Sequence, residues 1–213
     1  MTAAATILSA DRTPHAGHRP PPLDAVTWTS GFWAERLEQA RTITIRSLWK
    51  QLADPESGHV LENFRIAAGE TTGETQGTWW QDAWLYKWIE AAACLHRLTP
   101  DPWLEERMNE GIRLIGAAQA PDGYLWTHIA RAEKQRFEAI RHHELYVMGH
   151  LLTAAVIHRR MTGDDRFFRI AVRVGDFLFR ILGLKVDPHF AHNPSAVMGL
   201  VELYRETGEK RYL

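Results

Sequence analysis

"LHRLTPDPWL" (residues 95–104) aligns with "IHRRMTGDDRFF" (residues 157–168), and "LYRETGEKRYL" (residues 203–213) is a third copy of the same pattern. Each copy contains the end of one helix, a short turn with a threonine and an acidic residue, and the start of a second helix. A repeated helical hairpin is the unit of α-solenoids and α/α toroids. The pattern therefore predicts an all-α protein built from helical hairpins.

Apolar residues at helical spacing predict the helices on both sides of these turns. An earlier helix is predicted to begin at Ser30, whose hydroxyl can cap it. Residues 63–77 are polar and rich in glycine, so they are expected to form an irregular stretch. No stretch shows the alternation of a strand. The four later helices are predicted at residues 79–98, 103–119, 142–161 and 165–182.

The copies are unequally spaced because the first carries a loop of about 20 residues, and such insertions tend to mark a functional face. The third copy stops after "KRYL", which predicts that the chain is the N-terminal part of a larger protein. Residues 1–23 are rich in proline, alanine and threonine and are expected to form a disordered tail. Residues 24–213 are then the N-terminal portion of a truncated α/α domain.

The composition excludes several classes of protein. A formal net charge of −1 and a pI of about 6.8 give no sign of a nucleic-acid partner. No run approaches the ~18 apolar residues of a membrane helix, and the N-terminus does not resemble a signal peptide, so a cytoplasmic location is expected. The single cysteine, Cys94, lies in an apolar run and is interpreted as a small buried hydrophobe.

The segment "RHHELYVMGHLL" (residues 141–152) places three polar rings on one helix face: His143, Tyr146 and His150. The two histidines are about 10 Å apart along a helix, too far to bind one metal ion together, so no metal site is expected. Either the histidines pack in the core with their hydrogen bonds satisfied, or the stripe lines a cleft and binds a ligand.

A second cluster lies in "GTWWQDAWLYKWIEA" (residues 77–91). Carboxylates beside aromatic rings are typical of sugar-binding sites, where a ring stacks on the sugar face. The alternative is that the tryptophans belong to the core, which we favour for Trp84 and Trp88. The candidate binding residues of this cluster are Asp82, Lys87 and Trp80, and Tyr86 and Glu90 share the helix face of Asp82.

A third cluster, "DPHFAHNPSAV" (residues 187–197), brings His192 and Asn193 before the first helix of the third copy. The three clusters precede equivalent helices, so they are expected to lie at the same end of the array. This recurrence is the strongest internal argument for a binding site.

Several motifs together resemble the bacterial β-L-arabinofuranosidases of glycoside hydrolase family 127. The resemblance runs from about Val26 to the end of the chain and rests on "SGFWAERLE", "NFRIAAG", "WWQDAWLYKWIEAAA", "QAPDGYLWT", "RHHELYVMGHLLTAAV" and "TGEKRYL", in this order. It implies the first half of an (α/α)6 toroid, which is followed by β-sandwich domains in the family. It also implies removal of non-reducing β-L-arabinofuranosyl groups with retention.

The resemblance implies roles for several residues. His143 and His192 match histidines that contact the sugar, whereas Asp82, Lys87 and Glu144 match motif positions of less defined role. In the family the nucleophile is a cysteine on a zinc ion held by three cysteines and a glutamate, and another glutamate is the acid/base. These groups are expected beyond Leu213, so this chain is predicted to hold no catalytic residue, metal or cofactor.

The chain departs from the family pattern at "WWQDAW" and "AHNPSA", so the substrate can differ. The expected partner is a small carbohydrate or arabinofuranoside, with no nucleic acid, no membrane and a homodimer for the complete protein. Cys94 does not match the nucleophile. Two alternatives remain open: a toroidal sugar epimerase or lyase, and a helical-repeat module that binds a protein.

Overall fold

The computed structural model describes residues 5–10, 12–13, 15–130, 135–182 and 194–213, and the regular elements within these ranges are all helical. This confirms the prediction of an all-α protein. The α-helices are α1 (Phe32–Gln39), α2 (Ile45–Ala53), α3 (Val60–Ala67), α4 (Asp82–Leu98), α5 (Pro102–Ala118), α6 (Glu144–Thr162), α7 (Arg166–Leu182) and α8 (Ser195–Thr207). A five-residue π-helix, Ala40–Thr44, joins α1 to α2, and short 3-10 helices lie at Leu23–Ala25, Thr127–Ala130, Ile140–His142 and Lys210–Tyr212.

The later helices form two layers. Helix α6 packs between α4 and α8, while α5 packs behind α4, α7 packs behind α6, and α5 touches α7. Fourteen of the 19 residues of α6 are buried, because neighbours cover it on three sides. The pairs α4–α5 and α6–α7 are the two complete hairpins of the repeat. This is the architecture of a partial helical toroid.

The turns of the hairpins repeat in structure as well as in sequence. The Asp101 and Asp164 carboxylates each accept a hydrogen bond from the backbone amide two residues later, at 2.9 and 2.8 Å. The hydroxyls of Thr162 and Thr207 each accept one from the amide two residues later, both at 3.1 Å. These side-chain bonds satisfy amides that the ends of helices leave open, which explains why the threonine and the acid recur.

Two predicted boundaries are wrong. Gly31, not Ser30, is the N-cap of α1, and its φ of 80° suits a residue without a side chain. Residues 63–67 belong to α3 rather than to an irregular stretch, because Phe64 is buried and the side-chain amide of Asn63 donates to the backbone carbonyl of Gln76 at 2.8 Å. Tertiary contacts thus stabilise a helix that the polar, glycine-rich sequence around it did not predict.

The described part of the N-terminal segment lies against the helices. Arg160 donates to the backbone carbonyl of Ile7 at 2.7 Å, and Arg12 donates to the carbonyl of Arg205. The carbonyl of Ala5, a buried residue, accepts from an amide in the first 3-10 helix at 2.9 Å. The domain boundary at residue 24 and the disorder of the tail stay predictions.

Among the described residues, no helix combines the length and the apolar character that crossing a bilayer requires.

Candidate functional site

The candidate site begins at the N-terminal ends of α4 and α6, where the partly exposed side chains of Trp80, His143 and Tyr146 form a cluster that we call the mouth. His143 is the N-cap of α6 and has a left-handed backbone, with φ at 58°. Its ring meets the ring of Trp80 edge-on, with 5.1 Å between the centroids, and lies 5.9 Å from the ring of Tyr146. The structure therefore brings the predicted residues Trp80 and His143 together.

A polar stripe continues from the mouth along α6. The ring of Tyr146 lies 4.5 Å from that of His150, and the Lys87 ammonium donates to the Tyr146 hydroxyl at 2.5 Å. The same ammonium also lies 4.9 Å from the centre of the Tyr146 ring, in cation–π geometry. The predicted stripe of His143, Tyr146 and His150 is thus partly open to solvent, and Lys87 joins it from α4.

Charge along this stripe is controlled by burial. Burial, and then the Lys87 charge, lowers the pKa of His150 to about 4, so its imidazole is neutral at pH 7. Burial raises the pKa of Glu90, while the Lys87 charge lowers it. Lys87 is exposed on the α4 surface, and its ammonium faces the stripe at Tyr146.

Asp82 lies beneath the mouth rather than in it. Its side chain is fully buried, and its two oxygens accept hydrogen bonds from the amide and the hydroxyl of Thr127, at 2.8 and 2.7 Å. Burial raises the pKa of Asp82 to about 6. Through these two hydrogen bonds the carboxylate connects the long loop before α6 to the start of α4. Its contact with substrate stays a prediction.

Glu144 occupies the corresponding place at the start of α6. Its carboxylate accepts a hydrogen bond from the hydroxyl of Tyr124. The backbone amide of Phe137 donates to both carboxylate oxygens, at 3.0 and 2.9 Å. Burial raises the pKa of Glu144, while these hydrogen bonds lower it. Glu144 therefore joins two parts of the same loop, and its predicted contact with substrate also stays a prediction.

An aromatic box that the sequence did not predict lies under the mouth. The rings of His142 and Trp126 stack with their centroids 5.3 Å apart, and Trp79 lies 5.1 Å from His142. His128 is buried beside them, with Nδ1 3.2 Å from the hydroxyl of Thr75. The signal was "GYLWTH" (residues 123–128), where aromatic and polar residues follow a turn in the insertion loop.

Two other predictions concern residues outside this mouth. His192 and Asn193 lie outside the residues that the structure describes, so their place at the same end of the array stays a prediction. Trp88 is 3% exposed and belongs to the core, as favoured. Trp84 is 41% exposed, so its assignment to the core is wrong. Helix α2 covers Trp88 but leaves Trp84 at the edge of a groove.

The described residues do not fit the zinc site of the family. No three histidine, cysteine, aspartate or glutamate side chains within the described ranges come close enough to hold a metal ion. Burial, and then the charge of Glu90, raises the pKa of Cys94 to about 11, so its thiol is protonated at neutral pH and is a poor ligand or nucleophile. No catalytic step is assigned to a metal in this chain.

The chain is similar in sequence and fold to known proteins. The non-reducing end β-L-arabinofuranosidase of Bifidobacterium longum subsp. longum is 36% identical, over 88% of this chain and 32% of that protein. The crystal structure of a GH127 β-L-arabinofuranosidase from Geobacillus stearothermophilus T6 has a TM-score of 0.79 and 36% identity, over 88% of this chain and 31% of that one. A second GH127 β-arabinofuranosidase structure has a TM-score of 0.77 and 31% identity, over 89% and 32% of the two chains.

The chain therefore spans about a third of the length of these relatives. Residues 25–213 match the family model described as the β-L-arabinofuranosidase GH127 catalytic domain. The match begins one residue after the predicted domain start and includes the described residues of the mouth. The chain belongs to the GH127 β-L-arabinofuranosidase catalytic-domain family.

Proposed function

We propose that this chain forms part of the sugar-binding wall of a glycoside hydrolase that removes non-reducing β-L-arabinofuranosyl groups. The observation that carries the proposal is the position of the His143 ring, between Trp80 and Tyr146 at the open mouth. An imidazole that can exchange hydrogen bonds beside an exposed indole is suited to a sugar, which has both hydroxyls and an apolar face.

The residues divide into two roles. His143, Trp80 and Lys87 bind the sugar, with Lys87 held in place by the Tyr146 hydroxyl. Asp82 and Glu144 shape the wall, because their carboxylates hold the loop that leads to His143. His192, outside the described residues, is proposed as a further sugar contact.

Binding without turnover is the activity proposed for the isolated chain. Hydrolysis of a glycoside needs two groups on opposite sides of the scissile bond, an acid and a nucleophile or base. Asp82 and Glu144 are buried beneath the wall and engaged by the protein's own donors, and the Cys94 thiol is protonated. We therefore expect the chain to need the remaining part of a GH127 catalytic domain for chemistry.

The remaining assignments are proposals of the same kind. The partner is a small carbohydrate, and the net charge of −1 offers no support for nucleic-acid binding. We also propose a role in carbohydrate metabolism, a cytoplasmic location and a homodimer of the complete protein. No cofactor is proposed for this chain.

The test is a titration of the chain with methyl β-L-arabinofuranoside, followed by calorimetry or by NMR shifts of the histidine rings. We expect His143→Ala to abolish binding, because it removes the polar ring at the mouth. His59→Ala is the matched control, since His59 is also an N-cap histidine with φ at 58° but begins α3. Unchanged affinity in His143→Ala, or hydrolysis of the glycoside by the chain alone, would contradict the proposal.

A further inference from the structure

A groove of about 610 Å³ lies between α2 and α4, next to the mouth but distinct from it. Its volume is within the range of roughly 300–1,000 Å³ that is usual for small-ligand sites. Trp88 contributes a fixed surface, because it is 3% exposed and its indole Nε1 donates to the carbonyl of Ile45 at 2.8 Å. Leu52, another lining residue, is buried. The groove therefore has a rigid apolar base.

The edges of the groove combine an exposed aromatic ring with polar groups. Trp84 is 41% exposed there, and Leu48 on the opposite helix is 46% exposed. Gln51, Ser57 and Lys87 also line the groove and are exposed. An indole face with amide, hydroxyl and ammonium groups around it suits a flat ligand that carries hydrogen-bonding substituents.

The groove is continuous with the mouth through Lys87. This residue lines the groove, and its ammonium donates to the hydroxyl of Tyr146, whose ring faces His143. Trp80 lies in the turn that precedes α4, and Trp84 lies in the first turn of α4, four residues later in the chain. A group attached to a sugar at Trp80 and His143 can therefore reach the groove without leaving the protein surface.

We propose that the groove is a subsite for the leaving-group side of the glycoside, an aryl group or second sugar ring stacked on Trp84. Gln51 and Lys87 donate hydrogen bonds to its polar substituents. This inference rests on the proposed function, because it places the groove next to a bound arabinofuranosyl unit. It adds a determinant of specificity, since the mouth alone recognises only the terminal sugar.

The experiment compares two probes on the full 213-residue chain: methyl β-L-arabinofuranoside and p-nitrophenyl β-L-arabinofuranoside. We expect the nitrophenyl glycoside to bind about 10-fold more tightly, because its ring gains the stacking contact. In Trp84→Ala this gain disappears, while the affinity for the methyl glycoside stays the same. Trp33→Ala is the matched control, since Trp33 is 62% exposed and does not line the groove.

The outcomes separate this inference from the proposed function. If neither glycoside binds, the proposed function fails and the subsite fails with it. If both bind equally well, and Trp84→Ala changes neither affinity, the subsite is wrong and the proposed function stands. Circular dichroism of Trp84→Ala before titration ensures that a folded variant is compared.

A different occupant of the groove would also overturn the subsite. A second copy of the chain could cover Leu48 and Trp84 by helix packing. Sedimentation analysis would then show a dimer that Trp84→Ala dissociates and that p-nitrophenyl β-L-arabinofuranoside does not affect. We expect instead the same sedimentation for the wild-type chain and the variant.

Discussion

The two oxygens of Asp82 receive hydrogen bonds from a single residue, Thr127, through its amide at 2.8 Å and its hydroxyl at 2.7 Å. The pair joins the first turn of α4 to a loop 45 residues later in the chain. Because the carboxylate is fully buried, this attachment of the insertion loop depends on the protonation state of Asp82.

The first prediction concerns the pH dependence that Asp82 contributes. Its folded pKa is raised to about 6, above the ordinary 3.8, so the folded state binds the proton more tightly than the unfolded state. The contribution of Asp82 to the free energy of unfolding is therefore largest at low pH and declines as pH rises from about 4 to 6. We expect the stability of the wild type relative to Asp82→Asn to fall by about 3 kcal/mol across that window.

Urea unfolding at pH 4, 5, 6 and 7 measures this difference. Asp54→Asn is the control, because the hydrogen bond from the Ser57 hydroxyl lowers the pKa of Asp54 below its ordinary 3.8, so that the wild type and this variant should differ by a nearly constant amount from pH 4 to 7. If the free energies of unfolding of the wild type and Asp82→Asn differ by a constant amount from pH 4 to 7, the pKa of Asp82 is not raised by folding.

The second prediction concerns His158, whose ring is 2% exposed. Burial lowers its pKa from 6.5 to about 4, so the folded state excludes the proton that the unfolded state binds. The stability associated with neutral His158 is complete above pH 6.5 and is lost as pH falls toward 4. The free energy of unfolding of the wild type should therefore fall as pH drops from 7 to 4, and we expect this fall to be up to about 3 kcal/mol smaller in His158→Gln.

Thermal unfolding between pH 4 and 7 measures the effect, with His18→Gln as the control because His18 is exposed. If the two variants lose stability equally on acidification, the burial of His158 does not govern its protonation.

The third prediction tests whether Glu144 holds the loop. The amide of Phe137 donates to both oxygens of Glu144, and in Glu144→Gln one of them becomes an NH₂ group and the charge is lost. We expect hydrogen exchange at that amide to become roughly 10-fold faster, because replacing a charged acceptor by a single neutral oxygen costs about 1–2 kcal/mol. Glu138→Gln is the control, since Glu138 is exposed in the same loop. Equal exchange in the two variants would mean that other contacts order the loop.

The fourth prediction concerns the packing of α6 on α8. A Cβ added at Gly149 would lie 2.3 Å from the backbone carbon of Ser195 and 2.4 Å from the nitrogen of Ala196. Backbone atoms cannot move away cheaply, so we expect Gly149→Ala to lower the free energy of unfolding by about 1–3 kcal/mol.

Gly116→Ala is the matched helical control. A Cβ at Gly116 meets only the side-chain end of Ile170, at 3.2 Å, so alanine there should be neutral or stabilise α5 by up to about 1 kcal/mol. A Gly149→Ala variant as stable as the wild type in chemical denaturation would show that the two helices can separate without cost.

The part of the site that followed from sequence is the part with helical spacing. Three positions three or four residues apart must share a face, so the stripe of His143, Tyr146 and His150 was predictable. Its connection to Lys87 was not, because that contact crosses from α4 to α6 and depends on how the helices pack. The aromatic box was missed for the same reason, since its rings come from distant segments.

Burial at each individual position was less predictable. Trp84 and Trp88 are one helical turn apart and share the same residue type, yet one is 41% exposed and the other 3%. Asp82 belongs to a polar cluster in sequence, but the insertion loop covers it completely. In each case a neighbouring element decides the exposure, and residue type and spacing do not specify that neighbour.

The sequence by itself determined the class of fold, through the helical period and the threonine–acid turns, because both are local patterns that neighbouring residues specify. Its family motifs also determined which residues to examine for sugar binding. Only the tertiary structure decided which polar groups face the mouth and which fasten the loop beneath it. The physical reason is that a carboxylate such as Asp82 can bind either a ligand or a backbone amide, and the choice depends on which donor the fold brings within hydrogen-bonding distance.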